Sequence, residues 1–176
     1  MRLETSRLVI RSFEPDDGEA WVAILNDPLV RRFLPPFPDR TIDSFNDAIE
    51  QRRKREAELG YTMWAVALKS TGALVGQCGL NPVEGKGPEV EVAYHFAPAS
   101  WNNGYATEAV GAILDYALGS KILDRVIAIV MPENIGSQRV AEKAGMRFEG
   151  VGTYYGISDF KKYVAESEWW SSRRAS

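Results

Sequence analysis

The junction "YHFAPASWNNGYATEAV", residues 94–110, most constrains what this chain can become, because a strand pattern passes through Asn-Asn-Gly directly into a helix. An Asn-Gly pair ordinarily marks a turn between strands. Here Ala106, Val110, Ile113, Leu114, Ala117 and Leu118 share one helical face, so the spacing predicts a helix over 106–118. A loop opening a helix in this way leaves the first helical amides without partners and aims them at whatever sits in the loop's mouth. A pyrophosphate fits such a mouth. The lysine and hydroxyl of a P-loop and the three glycines of a dinucleotide site are both missing, which disfavours those two nucleotide classes. A structural role uses the same residues: Gly104 permits a tight turn while Asn103 or Thr107 caps the helix. Glu108, an acid in the first turn, has the wrong sign for an anion unless its side chain points away.

The elements around this junction come from periodicity. "RLETSRLVIRSF" alternates Leu8, Ile10 and Phe13 with polar partners and reads as a first strand. Trp21, Ile24 and Leu25 follow at helical spacing, with Asp16 or Asp17 placed to cap. The prolines of "FLPPFPDR" require a loop, and the helix that begins near Thr41 or Asp43 has Ile42, Phe45 and Ile49 on one side. Its "RRKREAE" stretch has the basic density of a nucleic-acid patch, but the interleaved glutamates predict a solvated face. "YTMWAVAL", "ALVGQCGL" and "PEVEVAYHF" form an antiparallel meander, and "DRVIAIVM" is apolar enough to be covered on both faces. "SQRVAEKAG" is a short helix stopped by Gly145. "MRFEGVGTYYG" and "FKKYVAESEWW" supply two last strands joined by a turn over Gly156 to Asp159. The sum is one mixed α/β layer.

With 176 residues, 45% of them hydrophobic, the chain has material for one globular unit, a single domain over 1–176. Its 21 basic and 24 acidic side chains give a net charge of −3, so no global field points to nucleic acid or an anionic membrane. Cys78 is the only cysteine, which excludes an internal disulfide and a cysteine-based zinc site and fits a reducing, cytoplasmic compartment. No run approaches the roughly 18 apolar residues of a spanning helix.

The loop resembles the acyl-CoA pyrophosphate loop of the GNAT N-acetyltransferases, whose motif is Gln or Arg, two free positions, Gly, one free, then Gly or Ala; Trp101, Gly104 and Ala106 occupy those places. Trp101 departs from the general motif and is similar to the "W-G-x-G-Y-A-T-E-A" variant of the RimJ/RimL-like ribosomal-protein N-terminal acetyltransferases. Asn102 stands where that variant has glycine. "ETSRLVIRSFEPDDGEAW", "NDPLVRRFLP", "VEVAYHFAP" and "PENIGSQRVAEKAGMRFEG" extend the resemblance over nearly the whole chain.

The resemblance implies a GNAT fold: a single central mixed, mostly antiparallel sheet of about seven strands, helices on both faces, and a splay between the fourth and fifth strands. It implies acetyl-CoA as cosubstrate and no metal. Pantetheine would enter like an added strand along the backbone of Tyr94, His95, Phe96, Ala97 and Pro98. The pyrophosphate would lie on Asn102, Asn103, Gly104, Tyr105, Ala106 and Thr107. Asn134 would contact pantetheine and Ser137 would protonate the departing thiolate. Capping of the following helix by Asn134 is the structural alternative, and Tyr154 or Tyr155 is the alternative acid. Glu89, Glu91 and His95 share one strand face. Glu91 falls where related enzymes place a base for the amine proton, acting directly or through water.

An amine is the expected acceptor. A protein N-terminal α-amine, with a reference pKa of about 8 against about 10.4 for lysine, needs less help from a base. Small amines, polyamines and aminoglycosides compete with it, and the "FLPPFPDR" loop, second helix and final hairpin are expected to build the pocket. A non-catalytic acyl-CoA-binding module and a generic anion-binding domain are the alternatives to an enzyme. The exposed late strands leave room for a homodimer without marking an interface.

Overall fold

Half-buried alternation and two-sided burial together produce one sheet, with helices filling both of its faces. The structure, a computed structural model, describes residues 1–170. In chain order it contains β1 (Arg2–Glu4), β2 (Leu8–Arg11), α1 (Gly18–Asn26), α2 (Pro28–Arg31), α3 (Ile42–Leu59), β3 (Met63–Leu68), β4 (Leu74–Pro82) and β5 (Val90–Phe96). These are followed by α4 (Tyr105–Gly119), β6 (Arg125–Val130), α5 (Ile135–Ala144), β7 (Arg147–Tyr154), β8 (Ile157–Glu166) and α6 (Ser167–Trp170). The eight strands are ordered β1-β2-β3-β4-β5-β6-β8-β7. Every neighbouring pair is antiparallel except β5 with β6.

The count exceeds the seven strands expected because "RLETSRLVIRSF" folds back on itself. Thr5 N donates to Leu8 O at 3.0 Å and Leu8 N to Thr5 Oγ1 at 2.9 Å, closing a turn that pairs Arg2 with Arg11. The last strand is shorter than its apolar run. Ser167 N donates to Asp124 O at 2.8 Å, and the chain turns into α6. The final hairpin turns at Tyr155 and Gly156, ahead of the expected Gly156 to Asp159 segment. Neither Asp16 nor Asp17 caps α1 through its side chain; Asp17 instead accepts from Arg11 Nη1 at 2.7 Å and Nη2 at 3.0 Å. α3 begins as its sequence predicts, with Thr41 Oγ1 accepting from Ser44 N at 3.1 Å, and ends at Gly60 with φ of 78°.

α1 and α3 cover one face, where Phe13, Trp21, Ile24, Leu25, Phe45 and Ile49 cluster. α4 and α5 cover the other, with Val110, Ile113, Leu114 and Ala141 packed among Val90, Val92 and Phe96 of β5. The strand thus divides its side chains between the two layers, and its own pairing is as uneven. β5 runs in register with β4 from Val90 to Phe96, yet meets β6 in register only at Glu91↔Ile127. Beyond that point the two parallel strands part, and the C-terminal half of β5 borders a gap. Among the described residues no helix is long and apolar enough to cross a membrane.

The β3–β4 register also needs a residue without a side chain. A Cβ on Gly79 would lie 2.1 Å from Thr62 O and 2.6 Å from Met63 Cα, backbone atoms that no rotamer change can move. Gly79→Ala should therefore cost about 1–3 kcal/mol or more in urea unfolding; an unchanged midpoint would contradict this packing.

Candidate active site

The loop ahead of α4 is held from three directions. Ala97 N donates to Val75 O at 2.9 Å, Trp101 Nε1 donates back to Phe96 O at 2.8 Å, and Asn103 Nδ2 donates to Trp101 O at 3.0 Å. Asn102 (φ 61°) and Gly104 (φ 80°) both adopt the left-handed conformation that turns the chain into the helix. Gly104 is the N-cap and supplies no side-chain hydrogen bond, so neither Asn103 nor Thr107 caps α4. The first intrahelical bond runs from Glu108 N to Gly104 O at 3.0 Å, so the amides of Tyr105, Ala106 and Thr107 precede the helical ladder.

Glu108, the residue of the wrong sign, is turned away from the loop's mouth. It accepts from Thr5 Oγ1, from Ser6 Oγ at 3.0 Å, from Arg7 N at 2.9 Å and from Arg7 Nε at 2.8 Å. Burial opposes ionisation, but the hydrogen bonds from Thr5, Arg7 and Ser6 prevail and hold the carboxyl down at about 2. Arg7 also donates from Nη1 to Asn103 O at 2.9 Å and lies 4.7 Å over the Tyr105 ring. A guanidinium therefore braces the loop and compensates its one acid.

A cavity of about 500 Å³ opens where β5 and β6 part, walled by Ala93, Tyr94 and His95 on one strand and Ala128 to Val130 on the other. Glu91, 9% exposed, and Tyr155 line it, and the Tyr155 hydroxyl donates to Glu91 Oε1 in a short hydrogen bond. Burial raises the Glu91 pKa, with the Tyr155 bond partly opposing. Burial and then the bond to Glu91 raise the Tyr155 phenol, so the hydroxyl keeps its proton and donates it to Glu91. Tyr155 N donates to Glu84 Oε1 at 2.6 Å, which fixes the hairpin tip over the cavity.

Ser137 and Asn134 also line the cavity, at the start of α5. Asn134 Oδ1 accepts from Ser137 N at 3.0 Å, so Asn134 caps the helix while standing in the cavity wall. Ser137 Oγ lies 2.7 Å from the Tyr94 hydroxyl, which is also 3.0 Å from Ser137 O. The two hydroxyls are joined. Phe96, Ala97, Pro98 and the Asn102–Thr107 loop stand outside the cavity lining, with Asn102, Asn103 and Gly104 exposed to solvent.

His95 sits in a network whose proton positions can be deduced. Trp21 Nε1 and Arg52 Nη2 can only donate, and both reach Gln77 Oε1 at 2.9 Å. The Gln77 amide nitrogen therefore faces His95 Nδ1, 2.8 Å away, and donates to it. The imidazole is neutral and protonated on Nε2. Burial, followed by the charges of Arg52 and Arg40, pushes its pKa down to about 4.

Outside the cavity the neighbouring side chains have structural roles. Glu89 pairs with Lys162 at 2.6 Å, and Cys78 is buried with its thiol pKa raised by that burial. Tyr154 packs edge-on against Phe160. The solvated reading of "RRKREAE" fails at Arg52 and Arg55, which turn into the cavity wall. The sequence held a sign of this: Arg52 follows Phe45 by seven and Ile49 by three, placing it on the buried stripe of α3. Arg7 and Gln77 carried no comparable signal.

The "Acetyltransferase (GNAT) domain" family model matches residues 7–147. The chain belongs to the GNAT acetyltransferase family. YnaD of Bacillus subtilis, an uncharacterised N-acetyltransferase, is 34% identical over 173 residues, covering 97% of this chain and 92% of YnaD. The crystal structure of a GNAT-family acetyltransferase from Bacillus anthracis superposes with a TM-score of 0.77 at 30% identity, covering 96% of this chain and 99% of that one. RimJ of Mycobacterium smegmatis in complex with CoA-disulfide shares the fold, with a TM-score of 0.74 at 24% identity over 92% of this chain and 82% of that one. The chain is thus an N-acetyltransferase on the open mixed sheet of its family, and the family uses acetyl-CoA.

The His95 network makes this GNAT enzyme's stability depend on pH. The unfolded imidazole titrates near 6.5 and the folded one near 4, so between those values the unfolded chain holds a proton that the folded chain refuses. The histidine's contribution is complete above pH 6.5, declines as pH falls through the window and levels off below about 4. His95→Asn retains an acceptor for Gln77 and should show a flatter decline in urea unfolding at pH 7, 5.5 and 4.5. Parallel stability curves for the two proteins would contradict the assignment.

Proposed function

We propose that this enzyme transfers acetyl from acetyl-CoA to a primary amine by direct attack, with the cosubstrate's pantetheine arm in the β5–β6 gap and its pyrophosphate on the loop ahead of α4. The observation that carries this reading is the coincidence of a parted parallel strand pair with an uncapped helix N-terminus at the end of the same strand. Unpaired strand backbone suits an amide-bearing arm laid like a further strand. The amides of Tyr105, Ala106 and Thr107 suit a diphosphate, with the helix dipole adding positive potential and Arg7 offsetting Glu108. In this reading Tyr94, His95, Phe96, Ala97 and Pro98 present backbone to pantetheine and Asn134 contacts it from α5. Trp101 already occupies Phe96 O, and β4 occupies Ala97 N, so Tyr94 and His95 carry most of that edge.

The amine nitrogen attacks the thioester carbon, the new C–N bond forms and the C–S bond breaks. The nitrogen must shed a proton and the sulfur must gain one. Glu91 is the acceptor for the first, directly or through one water, because burial makes it more basic than an exposed carboxylate while Tyr155 keeps it oriented. Ser137, backed by Tyr94, donates to the sulfur. A thiol's reference pKa is about 8.5, so a weak, well-placed acid suffices. Positioning supplies much of the rate.

A peptide N-terminal α-amine is the favoured acceptor class, since its reference pKa of about 8 matches a single buried carboxylate better than lysine's 10.4 does. The RimJ/RimL-like loop sequence agrees with that class.

Glu91→Gln should lower kcat about 100-fold, within the usual range for loss of a general base, while acetyl-CoA affinity stays within a few-fold. Tyr155→Phe removes the hydrogen bond that holds the Glu91 pKa down, so the acid limb of the kcat–pH profile should move to higher pH. Thiol release followed against pH tests both, and an unmoved limb together with full turnover in Glu91→Gln would remove the pair from the mechanism.

A further inference from the structure

The wall of the cavity formed by α3 and the loop before it holds positive charge that acetyl transfer itself does not require. Arg40, Arg52 and Arg55 all line the cavity. Arg52 donates from Nη2 to Gln77, but its Nη1 is shut off from solvent with no hydrogen-bond partner. Its guanidinium lies 4.6 Å over Phe13 and 5.5 Å over Trp21. Arg40, 4.6 Å over Phe37, has its Nε in the same unpartnered state, and Arg55 reaches only the neutral Asn81 Oδ1 at 2.9 Å.

Among the described residues none of the three forms an ion pair, and the one acid in the cavity lining, Glu91, is engaged by Tyr155. Burial, then the charges of Arg40 and Arg55, lower the Arg52 pKa to about 9. Gathering three guanidiniums with unspent donors and no counter-charge is costly in a free protein, and a fork of N–H groups is the geometry that receives a carboxylate in two parallel bonds.

We propose that this wall binds a carboxylate carried by the acceptor, so that the substrate is an amine that also bears an acid group: nitrogen toward Glu91, carboxylate against Arg52, Arg40 and Arg55. The proposal rests on the acetyl-transfer reading above. The cosubstrate's own phosphates are assigned elsewhere, because the arginines belong to the α1–α3 face whereas the Gly104 loop heads α4 on the opposite face. A polyamine or an aminoglycoside would bring like charge to this wall. Free amino acids and peptides with an acidic residue near the N terminus share the required chemistry.

The test pairs each acid with its uncharged counterpart. Thiol release with acetyl-CoA is followed for L-glutamate against L-glutamine amide, for the amidated peptides Ser-Asp-Ala and Ser-Asn-Ala, and for spermidine. The acid should exceed its partner at least tenfold in kcat/KM, mainly through KM, in the free or the peptide pair, and which pair responds identifies the source. Arg52→Gln should abolish that preference and Arg52→Lys should keep part of it, with CoA affinity by calorimetry within twofold of the parent. Should Arg52→Gln fail to fold, Arg55→Gln carries the same expectation. Equal use of acids and amides, preference for spermidine, or an undiminished preference in the folded variants would overturn the proposal. If no amine releases thiol, the transfer reading itself fails. The wall is then judged by titrating glutarate into CoA-saturated protein: saturation lost in Arg52→Gln upholds it, and no saturation overturns it.

Discussion

The parting of β5 from β6 is the constraint on which the rest of this molecule turns. Parallel strands normally continue in register once paired, yet here pairing holds only at Glu91↔Ile127. Backbone donors and acceptors bordering such a gap need partners, and a protein leaves them open where a ligand completes the sheet. The gap also joins the two faces: Tyr94, Asn134 and Ser137 reach it from the α4–α5 side, and Glu91, His95 and the α3 arginines from the α1–α3 side. A two-substrate reaction requires an opening of this sort, so that each substrate approaches from its own layer.

Charge is distributed to match. At the loop, Glu108 is drawn off by Thr5, Ser6 and Arg7, which removes the one acid that would repel a diphosphate. At the cavity centre a buried carboxylate faces a single phenol, and His95 is kept neutral through Gln77, whose orientation Trp21 and Arg52 dictate. Neutrality matters because an imidazolium there would add a fourth cation to a wall that already holds three. The aromatic faces of Trp21, Phe13 and Phe37 make Arg40 and Arg52 tolerable without neutralising them.

Much of this was legible in the sequence because it depends on local pattern. The α4 helix, the β3–β5 meander, the apolar β6 and the Gly145 stop follow from spacing and turn chemistry, and Glu91 and His95 were placed together by simple alternation. The β1–β2 turn is not legible because Thr5 and Ser6 interrupt a run too short to show two periods. Tyr155's bond to Glu91 spans 64 residues and depends on the closure of the final hairpin, which no local window contains. Arg52 departs from its local pattern for a different reason: the net composition of "RRKREAE" is that of a solvated face, and only its position relative to Phe45 and Ile49 marks an inward direction.

The most direct measurement is amide hydrogen exchange of the protein with and without CoA. The account predicts new protection confined to the segments over 93–96 and 104–107, the β5 edge and the first turn of α4, with little change on β1, β2 or the β7 edge. Saturating CoA that leaves both segments exchanging at their free rates, or that protects a different surface, would contradict it.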